Sequence, residues 1–207
     1  MAREIAQGLG REASVLPSGL PAEVASVVER AWWPAKVVDS QLPSFLVPIE
    51  PRWSTELFNV PAMLLPRSDV LGISREHVYY RSSGHRGESV PARLLWYVSK
   101  GVAGQDGQMV VGSSRLDDVV IDEPDTLHSK FEHLGVYGRV EVRSVADASG
   151  NAMALRFSDT EIFPKPVTLR RLNSLAESLG LRLSLMSLSK ISNELFQAVY
   201  EEGHRRT

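Results

Sequence analysis

The middle of this chain carries strand patterns and both flanks carry helix patterns, an order that limits the fold more than any other feature. Residues 92–99 form the strongest strand candidate, with Leu94, Trp96 and Val98 on one side and Leu95, Tyr97 and Ser99 on the other. Residues 77–82, with adjacent tyrosines, read as a second strand. Residues 109–116 and 119–121 follow a turn over 100–107 that holds Gly101, Gly104 and Gly107. Residues 139–145 and 152–157 alternate like a hairpin, joined through Asp147-Ala148-Ser149-Gly150-Asn151. On the N-terminal side, Val24, Val27, Val28, Ala31 and Trp32 fall on one helix face between Pro21 and Pro34. The proline-rich stretch 39–53 reads as an extended segment lying on the core, and 54–59 as a short helix capped by Ser54. Another short helix starts at Pro124, buries Leu127, Phe131 and Leu134, and ends at Gly135. Thr168 is placed to cap a helix closed by Gly180, and Ser189 or Ser192 to cap a last one with Ile191, Leu195, Phe196, Val199 and Tyr200 inward. The pattern predicts an α+β fold, a curled mixed sheet flanked by helices.

The 207 residues suffice for one sizeable domain with an appendage. The division expected is an N-terminal tail and helix over 1–45, packed on a main domain over 46–207. No cysteine is present, which excludes disulfides and thiolate metal sites and fits a reducing compartment. The N-terminal residues lack the apolar core of a signal peptide, and no apolar run reaches the roughly 20 residues of a membrane span. A soluble, cytoplasmic protein with no membrane partner is expected. Net charge is −2, which gives no global support for nucleic-acid binding. The charge is uneven, however: Arg75, Arg81, Arg86, Arg93, Lys100 and Arg115 outnumber the acids of their stretch, and Asp117, Asp118, Asp122, Glu123 and Asp125 follow at once. A polyanion would therefore meet a local patch, if those charges are not simply solvated faces.

Catalytic motifs are sparse. There is no Gly-x-Ser-x-Gly elbow and no phosphate-binding loop ending in Lys-Ser/Thr. His128 and His133 are five apart, so a helix puts them on different faces; His77, His85 and His204 are isolated in sequence, and no metal or other cofactor is expected. An aromatic and basic set is more informative. Tyr79 and Arg81 end one strand, Trp96 and Ser99 belong to the next, Ser113 and Arg115 end the third, and Phe157, Ser158, Asp159 and Glu161 leave a fourth. A nucleobase is held by stacking on a π-face and by hydrogen bonds to its edge, and a phosphate by arginine. Tyr79, Trp96 and Phe157 are then the stacking candidates. Ser99, Ser113, Ser158 and Asp159 are edge readers, Arg81 and Arg115 phosphate contacts, and Glu161 a further ligand group. The alternative is that the large aromatics are plain core and the acids merely pair with arginines.

Several strings together resemble a known region: Trp33-Pro34-Ala35-Lys36, Pro48-Ile49-Glu50-Pro51-Arg52-Trp53, Arg93-Leu94-Leu95-Trp96-Tyr97-Val98-Ser99, Ser114-Arg115-Leu116-Asp117-Asp118, Phe131-Glu132-His133-Leu134-Gly135 and Phe157-Ser158-Asp159-Thr160-Glu161-Ile162-Phe163. They resemble the C-terminal region of large bacterial proteins labelled GNAT-family acetyltransferases, a region that is PUA-like and related to the EVE, ASCH and YTH groups. The acetyl-CoA-binding part of those proteins would precede residue 1, and no Arg/Gln-x-x-Gly-x-Gly/Ala loop is present, so acetyl transfer is not carried over. The resemblance implies a PUA-like curled mixed β-barrel flanked by helices, with a helical N-terminal arm. It implies a binding module for DNA or RNA that takes a base, modified or flipped from its strand, into an aromatic pocket at the barrel mouth. Some ASCH proteins are nucleases or cytidine amidohydrolases that use a Lys-Thr-Glu set. Here Thr160 and Glu161 are adjacent with Lys165 near in sequence, although the surrounding motif differs. Catalysis is thus a secondary expectation. A third is an adaptor in a defence or toxin–antitoxin system, touching a partner protein through the N-terminal helix and Trp32-Trp33.

Overall fold

A computed structural model describes residues 19–37, 40–58, 75–83, 89–99 and 107–205. The expected tail, save Gly19 and Leu20, and nearly all of the turn over 100–107 lie outside the described residues, as does His85. The elements in chain order are α1 (Ala22–Ala31), β1 (Ser44–Ile49), α2 (Pro51–Phe58), β2 (Glu76–Ser82), β3 (Ala92–Val98), β4 (Met109–Asp122), α3 (Pro124–Phe131), α4 (Arg139–Ser144), β5 (Ala152–Thr168), α5 (Leu169–Ser178), β6 (Ser189–Ile191) and α6 (Asn193–Gly203).

The strands make one sheet in the order β2-β5-β4-β3-β1-β6. The β1–β3 pair is parallel and the rest are antiparallel, so the sheet is mixed. Among the described residues β2 and β6 stay as edges, and the sheet is not closed into a barrel. The alternation of β3 sorts its side chains between two cores. Leu94, Trp96 and Val98 join Trp53, Phe58, Leu127, Phe131 and Phe157 on one face. Leu95 and Tyr97 join Leu172, Ala176, Leu195, Phe196 and Tyr200 of α5 and α6 on the other. The proline-rich segment lies on the core as β1, beside β3. Thr168 and Ser192 cap α5 and α6, accepting from the amides of Arg171 and Leu195. Among the described residues no helix is long and apolar enough to cross a membrane.

Two local readings change. Residues 139–144 are helix, not strand: β2 and β4 already occupy both edges of β5, so a hairpin partner there has no free ladder to join. Val142 goes inward while Val140 stays exposed, and Arg143 pairs with Asp125 of α3. The strands expected over 109–116 and 119–121 are one continuous β4, because bulges let its pairing with β5 continue.

The third difference is the orientation of α1. Of its expected apolar stripe, Val24, Val27, Ala31 and Trp32 face outward and only Val28 packs inward, against Ala25, Val37 and Leu42; the buried residues are Ala25, Ser26 and Glu29. The cause is Arg93, which β3 holds at 3% exposure. Its guanidinium is met by both Glu29 carboxylate oxygens, by the Val37 carbonyl at 2.6 Å and by Ser40 Oγ at 3.1 Å, and it lies 4.8 Å from the Phe196 ring centre. A buried charge needs its partner more than Val27 needs cover. Glu29→Ala, which leaves Arg93 buried and unpaired, is expected to destabilise the fold by about 3–5 kcal/mol, read from the urea midpoint.

Candidate functional site

The pairing of β4 with β5 breaks register where the site lies. Ser113 stands opposite Glu161 and Arg115 opposite Ser158, so the single residue Ser114 faces two, Asp159 and Thr160. That is a β-bulge, and its first residue, Asp159, has φ +52°. Such a position favours glycine; aspartate is among the side chains that tolerate it. The bulge turns Asp159 out of the normal alternation. Close by, Gly112 lets the strands approach: a Cβ there would lie 2.4 Å from the Glu161 carbonyl oxygen.

A narrow cleft opens beside the bulge, beneath α1 and the segment after it. Glu29, Arg30, Trp33 and Lys36 line it from the arm, and Arg93, Ser114, Arg115 and Asp159 from the sheet. It spans about 260 Å³ including its open mouth, and the side chains leave little free space inside it. Trp33, 38% exposed, forms its outer wall, and its indole N–H donates to the Asp159 carbonyl at 3.0 Å. The Asp159 carboxylate is 8% exposed as a residue. Its Oδ1 accepts from Arg75 at 2.8 Å, and its Oδ2 is buried with no hydrogen-bond partner among the described residues. Arg115 donates to Ser26 Oγ at 2.9 Å and sits 2.9 Å from Asp117. Burial raises the Asp117 carboxyl above the usual range despite the nearby Ser158 hydroxyl and Arg115.

A second polar cluster adjoins the cleft through Lys36. Its ammonium is 3.9 Å from Glu161 Oε2 and 3.4 Å from the Pro34 carbonyl. Burial lowers its pKa, and the negative charges of Glu29 and Glu161 only partly offset this. Tyr200 OH donates its one proton to Glu161 Oε2 at 2.7 Å and lies 3.0 Å from the Pro34 carbonyl. His204 completes the set, with Nδ1 2.8 Å from the Tyr200 carbonyl and Nε2 2.8 Å from Glu161 Oε1. A carbonyl and a carboxylate only accept, so both ring nitrogens are satisfied only when both carry protons. Burial works against that imidazolium, but the bonds to Glu161 and to the Tyr200 carbonyl outweigh it and raise the pKa above 6.5.

Of the residues singled out in the sequence, the fold brings Arg115 and Asp159 to the cleft, with Glu161 next to it across Lys36. Ser113 is buried opposite Glu161 with its hydroxyl unpartnered, and Ser158 is buried beside Asp117. Trp96 sits one bond behind the cleft: its indole donates to Ser114 Oγ at 2.8 Å, and that hydroxyl meets Thr160 Oγ1 at 2.8 Å. Four are elsewhere. Phe157 packs against Trp96 at 4.8 Å and Phe58 at 6.0 Å between ring centres. Tyr79 lies edge-on to Trp96, and its hydroxyl, held protonated by a pKa that burial pushes up to about 12, donates to the Pro48 carbonyl. Ser99 bonds the Ile49 carbonyl, and Arg81 lies far along β2 opposite Met153. Lys165 is exposed, and the lysine that reaches Glu161 is Lys36. The arm residues were not legible as site residues beyond the string Trp33-Pro34-Ala35-Lys36. His204 is 43 residues from the carboxylate it meets. Among the described residues no group of three or more His, Cys, Asp or Glu is placed to hold a metal ion.

The fold is α+β and PUA-like, a six-stranded mixed sheet flanked by helices. Among solved structures it is similar to the ASCH protein of Zymomonas mobilis, with 16% identity over 75% of this chain and 92% of that one and a TM-score of 0.56. Weaker likenesses are the N-terminal domain of Staphylothermus marinus McrB (14% identity, 76% and 93% covered, TM-score 0.49) and human THYN1 in complex with 5-methylcytosine-containing DNA (12%, 80% and 99%, 0.44). The likeness to the Zymomonas mobilis protein shows the fold, and at such identities none of the three says what this chain binds. No family model and no curated protein matches the chain.

His204 gives a pH dependence with a definite sign. Its folded pKa is raised, so its stabilisation is fully present below 6.5 and is lost as pH rises through the folded value. The stability difference between wild type and His204→Gln is expected to be largest on the acid side and to shrink above neutrality, measured by chemical denaturation across a pH series.

Proposed function

We propose that this chain is a nucleic-acid-binding module that takes one base into the cleft beneath its N-terminal arm. The observation that carries this is the make-up of the cleft: an exposed indole, a buried carboxylate oxygen with no partner, and the cations Arg30, Lys36 and Arg115 around them. An indole offers a π-face to any base, the carboxylate offers an acceptor to its edge, and the arginines suit phosphate. The stacking role falls to Trp33, because Tyr79, Trp96 and Phe157 are committed to the core. The cleft is too narrow for a base as it stands, so binding displaces the Trp33 ring. A flipped base on DNA or RNA, modified or not, fits this reading. With a net charge of −2, affinity rests on the local cations.

The test is binding of the full chain to short single-stranded oligonucleotides, with and without base modifications, at two salt concentrations. Binding that weakens with salt, and that drops about tenfold in Trp33→Ala, is the expected result. No binding to any member of the panel overturns the reading.

Two further readings each have an observation behind them. The Lys36 amine, 3.9 Å from Glu161 and with a pKa lowered by burial, favours hydrolysis of an acylated cytidine or of RNA on the same site. Turnover abolished by both Lys36→Met and Glu161→Gln, with the fold intact by circular dichroism, is the outcome expected of that activity. The outward stripe of Val24, Val27 and Trp32 favours a protein partner. Trp32→Ala would break such a complex and leave oligonucleotide binding unchanged.

A further inference from the structure

The geometry of Asp159 goes one step beyond base binding and names the edge that the cleft reads; it rests on that reading. Three features fix this carboxylate. Its backbone sits in the bulge at φ +52°, its carbonyl holds the Trp33 indole at 3.0 Å, and its Oδ1 holds Arg75 at 2.8 Å. A carboxylate bonded to a guanidinium is ionised and can only accept. Its remaining oxygen, Oδ2, is buried and unpartnered, an arrangement that costs stability unless a donor arrives. The neighbouring hydroxyls are occupied elsewhere. Ser114 Oγ accepts from the Trp96 indole and shares one bond with Thr160 Oγ1, and neither hydroxyl makes a hydrogen bond to Oδ2.

The other wall has the opposite character. Lys36 lines the same cleft, is close enough to feel the charge of Asp159, and among the described residues is held by one long hydrogen bond, one 3.9 Å ion pair and the face of Tyr200, 5.5 Å away. It is a donor with protons to spare. The walls therefore present one acceptor and one donor to whatever lies between them. Cytosine and adenine answer both with an exocyclic amine next to a ring nitrogen that accepts. Thymine and uracil have an N–H too, but it lies between two carbonyl oxygens, which a carboxylate reaching that proton would approach closely. We infer that Asp159, with Lys36 lining the same cleft, makes this site selective for the amino-bearing bases, cytosine, adenine and guanine (whose N1–H and amine stand beside the O6 acceptor), over thymine and uracil.

The experiment is tryptophan fluorescence titration of the full chain with three eight-nucleotide homopolymers, oligo-dC, oligo-dA and oligo-dT, at low salt. The expected result is that oligo-dC or oligo-dA binds about tenfold or more tighter than oligo-dT, the scale of one well-made base contact. Asp159→Asn keeps the side-chain shape and tolerates the left-handed backbone. A thermal melt confirms its fold, and its preference is expected to fall to about twofold or less once the obligate acceptor is gone. Equal binding of all three by the wild type, or tighter binding of oligo-dT, overturns the selectivity. If that binding is still lost in Trp33→Ala, base binding itself stands. Binding of none of the three overturns both.

Discussion

The structure depends on the charge that β3 buries at Arg93. A guanidinium at 3% exposure inside a sheet protein must be met by a carboxylate and by carbonyls, or the fold does not close. Glu29 and the Val37 carbonyl are those partners, and both belong to the N-terminal arm. The arm is therefore drawn onto the sheet by its polar side, and Ser26 meets Arg115 on the way. Replacing a buried ion pair with well-packed apolar side chains of similar volume often leaves a fold as stable. What the ions specify is the seating: which face of α1 points in, and hence where Trp33 and Lys36 come down.

They come down on the bulge. An extra residue in β5 places Asp159 and Thr160 against Ser114 and breaks the alternation that would otherwise bury or expose them in turn. The strain of a non-glycine residue at positive φ is held by the Trp33 and Arg75 bonds to Asp159 itself. The same contacts that tie the arm to the sheet thus hold the carboxylate in place, so the arm is part of the site's wall and not a cover laid over it.

This explains what could be read in advance. The strand and helix order outside 109–145, the two-sided β3, and the caps at Thr168 and Ser192 are local signals, and they hold. Arg115 and Asp159, which the fold brings to the cleft, could be singled out in advance because strand ends that gather polar groups are visible in one dimension. The aromatic assignment is a different matter. Trp96 and Phe157 look the same in sequence whether they face a ligand or each other, and only the packing of α2 and Phe58 on that face decides it. The outward stripe of α1 was misleading for a related reason: periodicity finds the apolar face, but a single buried arginine 64 residues away outweighs it. The helix at 139–144 follows from strand edges already taken, a fact about the whole sheet.

Asp159 and Glu161 are two residues apart on one strand, yet their surroundings differ in kind. Glu161 is saturated: Tyr200, His204 and Lys36 all reach it, and two of these are themselves held by backbone carbonyls. Asp159 has one oxygen filled and one empty. A carboxylate already surrounded by donors is part of the frame, whereas one with a sealed, unfilled acceptor has capacity left for a ligand. Lys36 stands between them, 3.9 Å from the first and lining the cleft of the second. Its proton is favoured by both acids and opposed by burial, so whatever binds at Asp159 also changes the environment of the Lys36–Glu161–His204 chain. The cleft and the cluster behind it therefore share this one side chain, whose charge responds to Asp159 and Glu161 alike.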